Sequence, residues 1–256
     1  LKADDRIPLI AHLTELRKRL MIALGAVLAC FIAATFFAKE LYGILAAPIV
    51  AALPPGSSLT MLRPEEGFFT YLKVAFFAGL LVASPVVLLQ IWLFVGPALY
   101  KKERRVFIGT VFASSVLFLS GVAFAYYVVF PYAFRFFMTY ATGPITATLS
   151  IGWYLSLSTK LLLAFGLVFE LPVAIFVLAR LGFVTAGFLL RNFRYALVLI
   201  FLIAAVLTPT PDVFTQLLMA GPLLILYGLS IIIAAVVGKQ RAARKAAAAA
   251  EQAASD

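Results

Sequence analysis

The chain has 256 residues, of which 64% are hydrophobic and only 12% charged, and its mean hydropathy is +1.07. A soluble domain carries about 25% charged residues, so this composition excludes a soluble protein and indicates an integral membrane one. A single cysteine and a single histidine exclude a disulfide framework, a thiolate metal centre and any histidine-based triad, and the net charge of +10 lies between apolar runs, where it reports topology rather than nucleic-acid binding.

Six apolar runs predict spanning helices at residues 20–38, 74–99, 106–130, 161–179, 195–207 and 217–237. Most are too long for barrel strands. The first follows a charged segment and is longer than the apolar part of a leader peptide, so it reads as a retained helix. Residues 39–73 contain Pro48, Pro54, Pro55 and Pro64, and the apolar piece 41–53 is too short to span, which predicts an interfacial or capping element. The second span is interrupted by Ser84, Pro85 and Gln90. Residues 131–160 form another long connection, whose Tyr132, Tyr140, Trp153 and Tyr154 suit an aromatic belt. Glu170 lies inside the fourth span, two residues before Pro172. The fifth run reaches only about 20 Å at 1.5 Å per residue against an apolar core of about 30 Å, which predicts either a locally thinned bilayer or polar ends that extend the helix, with Asn192 to Arg194 snorkelling. It ends at Thr208-Pro209-Thr210-Pro211-Asp212, because proline cannot continue the ladder. Prolines 85, 97, 131, 172 and 222 should bend their helices or open backbone carbonyls. Residues 1–238 read as one six-helix domain, and residues 239–256, rich in alanine, as a disordered cytoplasmic tail.

The positive charges orient the bundle. With both termini cytoplasmic, the inner segments hold Lys2, Arg6, Arg17, Lys18, Arg19, Lys101, Lys102, Arg104, Arg105, Arg180, Arg191, Arg194, Lys239, Arg241, Arg244 and Lys245. The outer segments hold Lys39, Arg63, Lys73, Arg135 and Lys160. Sixteen against five predicts an N-in, C-in topology.

Two glutamates, Glu15 and Glu103, sit within basic clusters on the predicted cytoplasmic face. Each has a plain reading. Glu15 can pair with Arg19 at i, i+4, a contact worth about 0.3–0.5 kcal/mol, and Glu103 can be a solvated loop charge. Together they can form a receptor for a ligand with two cations. A guanidinium forks onto a carboxylate bidentately and an ammonium cannot, so such a pair would select two arginines over two lysines. Glu170 at membrane depth costs roughly 2.5–3.5 kcal/mol, so it needs a polar cavity, a partner helix or a proton. Gln90 is its weaker intramembrane companion, or an internal packing hydrogen bond. Asp212 reads as a turn or cap residue.

These residues fall into a pattern that resembles the TatC family, the multispanning subunit of the twin-arginine protein translocase. The resemblance rests on His12-Leu-Thr-Glu15-Leu-Arg17-Lys-Arg19 and on Phe68-Phe-Thr-Tyr71-Leu72-Lys73. It extends through Gln90-Ile-Trp92-Leu-Phe94-Val-Gly-Pro97-Ala-Leu99-Tyr100, Glu103-Arg104, Phe165-Gly166, Phe169-Glu170-Leu171-Pro172 and the proline-rich turn ending at Asp212. It implies an all-α integral membrane fold of six helices in a curved, glove-like concave arrangement. It further implies a receptor for twin-arginine signal peptides and a translocase that exports folded proteins. Energy would come from the proton-motive force, in keeping with the absence of a P-loop sequence, and the resemblance implies no cofactor and no enzymatic activity. On these matches the signal-peptide surface comprises Glu15, Glu103, Leu16, Arg17, Phe94 and Leu99. Pro48, Phe68 and Asp212 match periplasmic positions, and Glu170 with Gln90 the intramembrane polar positions. Glu170 is linked in the family to engaging the single-span partners TatA and TatB in a multimeric complex of the bacterial inner membrane. A secondary transporter coupled through Glu170 lacks the expected inverted repeat. An intramembrane serine protease lacks a histidine within a span.

Overall fold

The computed structural model describes residues 6–54, 57–95, 104–140, 148–208 and 212–255. Two compact units make up the chain, Leu1–Leu163 and Ala164–Asp256. In the first unit α1 (Arg6–Thr35) is followed by the short α2 (Ala38–Val50), strand β1 (Ser58–Thr60) and α3 (Glu66–Val95). Then come α4 (Arg104–Phe124), a π-helical turn (Ala125–Val129), α5 (Phe130–Met138), strand β2 (Thr148–Ser150) and α6 (Ile151–Phe169), whose last turns enter the second unit. That unit continues with α7 (Leu171–Leu181), α8 (Ala186–Arg191), α9 (Phe193–Leu207) and α10 (Val213–Ser255).

Five helical stretches are long and apolar enough to cross a membrane: His12–Thr35, Glu66–Val95, Arg105–Met138, Ile151–Leu181 and Val213–Ala243. The fifth expected run falls on a shorter apolar helix, Phe193–Leu207. Several ends differ from the sequence expectation. The second span begins earlier, at Glu66, because the residues before Val74, Phe68, Phe69 and Leu72 among them, continue the helix. The third does not stop at Pro131. A π turn before the proline widens the ladder where its ring would strike the carbonyl of Tyr127, and the helix continues to Met138. The tail expected to be disordered is helical in the structure: α10 runs through Gly238 to Ser255. Alanine has the highest helix propensity, and no proline follows Gly238 to end the run.

Helices α1 and α3 run antiparallel in close contact. Gly79 permits this, since a Cβ there would lie 2.6 Å from the backbone of Phe31. Two prolines inside helices each leave a carbonyl four residues back without its usual donor, and a hydroxyl takes it in each case. Pro85 cannot serve Leu81, whose carbonyl accepts from the Ser84 hydroxyl at 2.7 Å. Pro48 cannot serve Ile44, whose carbonyl accepts from the Tyr126 hydroxyl at 2.6 Å. The next carbonyl of α2, on Leu45, accepts from Tyr154 at 2.6 Å. Short as it is, α2 is thereby tied to the π-helical turn and to α6. Phe130, Phe134 and Tyr154 are buried and meet ring to ring at 5.5 and 5.3 Å.

The connections between spans carry their own fastening. Strands β1 and β2 pair in parallel, Leu59 opposite Leu149. Glu66, at the start of α3, accepts from the backbone N–H of Leu62 at 2.6 Å and of Gly152 at 2.7 Å, and from the Ser150 hydroxyl. One carboxylate thus joins the loop before α3 to the start of α6.

In the second unit α10 packs against α7, α8 and α9. The Tyr227 hydroxyl donates to the Leu189 carbonyl at 2.9 Å, and the Gln216 amide to that of Phe201 at 3.1 Å. Helix α7 ends on Gly182 in the left-handed region (φ 89°), with the N–H groups of Gly182 and Phe183 both returning to Leu178.

Candidate functional site

The N-terminal part of α1 meets the C-terminal part of α3, and that junction gathers the residues singled out around Glu15. Glu15 and Arg19 fall one helical turn apart, so their side chains reach each other: Arg19 Nη2 lies 2.9 Å from Glu15 Oε1. Arg19 also donates to Gln90 Oε1 of α3 at 3.4 Å. One guanidinium therefore holds Glu15 on its own helix and anchors it to the neighbouring one. Glu15 is half-buried and Gln90 buried. The second oxygen of Glu15, Oε2, has no partner among the described residues. A carboxylate offers about four acceptor positions, so this one retains room for a guanidinium from outside.

One turn away His12 stacks on Phe94, with ring centroids 4.5 Å apart and planes at 20°. Trp92 on the same helix donates to Ser114 of α4 at 2.9 Å. The Glu15 end of α1 is thus fixed by a polar clasp and an aromatic stack, and α3 is fixed in turn to α4. Leu16 and Arg17 beside Glu15 are exposed. Leu99 and Glu103 lie outside the described residues.

The sequence places Arg19 beside Glu15 and gives no sign that His12 meets Phe94 next to them. The i, i+4 spacing signals the Glu15–Arg19 contact, but nothing local signals a partner 71 positions away. Gln90 Oε1 accepts from Arg19 at the Glu15 cluster, a packing hydrogen bond between helices, because the antiparallel crossing of α1 and α3 brings the two positions to one level.

Glu170 lies between α6 and α7 in a half-buried position. Pro172 has no N–H for the carbonyl of Val168, so the long helix breaks one residue after Phe169, and Glu170 occupies the turn. Its own carbonyl accepts from Ala174 at 2.9 Å, which starts α7 directly. Pro48 is half-buried inside α2, and Phe68 is exposed on the first turn of α3, edge-on to Phe69 at 5.5 Å. Asp212 caps α10: its carboxylate accepts from the Thr215 N–H at 2.7 Å and from the Thr215 hydroxyl. The three residues before it lie outside the described residues.

The profile of the family described as "TatC: Sec-independent protein translocase protein (TatC)" matches residues 11–222. The chain belongs to the TatC family. Among its relatives, the Sec-independent protein translocase protein TatC of Desulforapulum autotrophicum is 43% identical over 240 residues, covering 94% of this chain and 88% of that one. The TatC of Escherichia coli K12 is 40% identical over 242 residues, covering 94% and 93%. A crystal structure titled as the twin arginine translocase receptor TatC superposes with a TM-score of 0.77 at 40% identity, covering 88% of this chain and 99% of the other. The TatC fold and membrane-spanning character of the chain are therefore those of a protein translocase component.

Proposed function

We propose that this chain is the twin-arginine signal-peptide receptor and core subunit of a translocase that exports folded proteins. Glu15 and Glu103 are the carboxylates that take the two arginines of the peptide. The observation that carries this reading is the Glu15 carboxylate, clasped through one oxygen by Arg19 and open at the other. It lies in a chain whose solved relative is titled a twin arginine translocase receptor. Arg19 sets the carboxylate's direction, and an incoming guanidinium approaches the open oxygen. Leu16, Arg17, Phe94 and Leu99 line the path of the segment following the arginines.

In this reading both termini are cytoplasmic and the membrane is the bacterial inner membrane, as the basic segments favour. TatA- and TatB-like single-span proteins are the partners, Glu170 is the intramembrane group that engages them, and the complex holds several copies. The interrupted helix around Glu170 supports a polar, bent site. The driving force is the proton-motive force, and no chemical transformation is involved.

A photo-crosslinking twin-arginine peptide tests the receptor assignment. Glu15→Ala and Glu103→Ala each lower its yield against the wild type, and changing both peptide arginines to lysine does likewise. Undiminished crosslinking to both variants removes the assignment.

A further inference from the structure

The end of α3 opposite the Glu15 cluster carries a second site. A cavity of about 600 Å³ opens there between the loop before α3, the start of α3 and the start of α6, lined by Arg63, Glu65, Glu66, Phe69, Lys73 and Trp153, among others. Adjoining it is an apolar cavity of about 420 Å³ formed by α1, α3 and α6, with Phe31, Phe76, Leu80 and Leu163 in its wall. Lys73 lines both.

Residues Glu66, Phe69, Lys73, Phe76 and Leu80 recur at three- and four-residue steps, so they form one stripe along α3. The stripe changes character at Lys73. From Glu66 to Lys73, about 10 Å of rise, it borders the polar chamber; from Lys73 to Leu80, another 10 Å or so, the apolar one. Lys73 is also the last residue before the apolar stretch beginning at Val74. A polar chamber at that boundary, continued inward by an apolar groove, has the shape of an amphiphile standing along the helix.

The charges narrow its chemistry. Arg63 and Lys73 make no ion pair among the described residues, although two carboxylates share their cavity. Glu66 is turned onto its backbone and Ser150 donors, and Glu65 is exposed. Two unpaired cations suit a phosphodiester, with the arginine able to fork onto two oxygens. The exposed carboxylate suits a positively charged group beside that phosphate and opposes a purely anionic headgroup. The geometry points to a bound phospholipid with a primary ammonium, that is, a phosphatidylethanolamine: its phosphate on Arg63 and Lys73, its ammonium on Glu65, and one acyl chain between Phe31, Phe76 and Leu80. The open faces of both cavities let the second chain remain in the bilayer.

Native mass spectrometry of the full chain reads this directly. The purified protein is offered phosphatidylethanolamine, phosphatidylglycerol and phosphatidylcholine of identical chains in equal amounts. One phosphatidylethanolamine is retained per chain in preference to the others. Arg63→Gln combined with Lys73→Gln lowers that retention about thirtyfold, equivalent to about 2 kcal/mol for the two lost cations at about tenfold per 1.4 kcal/mol. Arg135→Gln combined with Lys160→Gln, cations lining neither cavity, leaves it unchanged. Glu65→Gln keeps a phospholipid bound but erases the preference for the ethanolamine headgroup over glycerol. Equal retention by the Arg63 and Lys73 double variant overturns the proposal. So does displacement of the lipid by millimolar inorganic phosphate, which would mark a free-anion site, or an ethanolamine preference that survives Glu65→Gln.

Discussion

The pairing of Pro48 with Tyr126 makes a quantitative prediction. Pro48 deprives the Ile44 carbonyl of its helical donor, and the Tyr126 hydroxyl replaces it at 2.6 Å. That contact lies on the exposed surface beside an apolar cavity of about 270 Å³ to which both Ile44 and Tyr126 contribute, so in a bilayer it faces apolar groups and no water replaces it. Tyr126→Phe removes the hydrogen bond and leaves the carbonyl with no donor, a combined loss of about 2 kcal/mol. For a protein of this size that lowers the thermal midpoint by roughly 4–8 °C. In a Pro48→Ala background residue 48 again carries an N–H, four residues beyond Ile44, and the helix supplies the bond itself. Tyr126→Phe then costs about 0.5–1 kcal/mol, so the two substitutions couple by at least about 1 kcal/mol. Thermal unfolding of the four variants in one detergent measures this. If the two effects add within about 0.5 kcal/mol, the tyrosine is not serving the carbonyl that the proline exposes.

Two further perturbations test other links. Gly79→Ala puts a methyl 2.6 Å from the Phe31 backbone, which cannot yield as a side chain can; it should destabilise by about 1–3 kcal/mol and weaken twin-arginine peptide binding, because separation of α1 and α3 breaks the 3.4 Å Arg19–Gln90 contact. An unchanged thermal midpoint and unchanged peptide affinity would disconnect that crossing from the site. Glu170→Ala should reduce co-purification of single-span partner proteins while the chain still accumulates in the membrane; loss of accumulation itself would assign Glu170 to packing.

Much of this protein is legible in its sequence because the bilayer imposes a simple rule. Long apolar runs must be helices, and the spans carry that signal strongly enough that their existence needs no tertiary information. Their ends are harder to read. The start of α3 at Glu66 depends on a carboxylate meeting donors from residues 62, 150 and 152, and no window of sequence contains all of these. The π turn before Pro131 and the helical tail after Gly238 show the opposite case: both breakers are visible, and local geometry or alanine propensity overrides them. At the site, Glu15 stands out as an acid in a basic run, and Arg19 follows from helical spacing. For Gln90 the sequence leaves open a companion of Glu170 or a packing hydrogen bond, and its partner Arg19 is not legible, since its depth in α3 is visible but the level at which α1 crosses is not. That level depends on Gly79, a residue that offers no chemistry and permits the approach.

A double-mutant cycle between the chain and its peptide tests the receptor reading most directly. The four combinations of wild type or Glu15→Gln with a twin-arginine or twin-lysine peptide are titrated by fluorescence anisotropy, and the set is repeated for Glu103→Gln. A carboxylate that grips a guanidinium gives a coupling of about 1.5 kcal/mol or more, so the glutamine variant discriminates the two peptides at least tenfold less than the wild type does. Equal discrimination by the wild type and both variants would mean that neither glutamate reads the arginines.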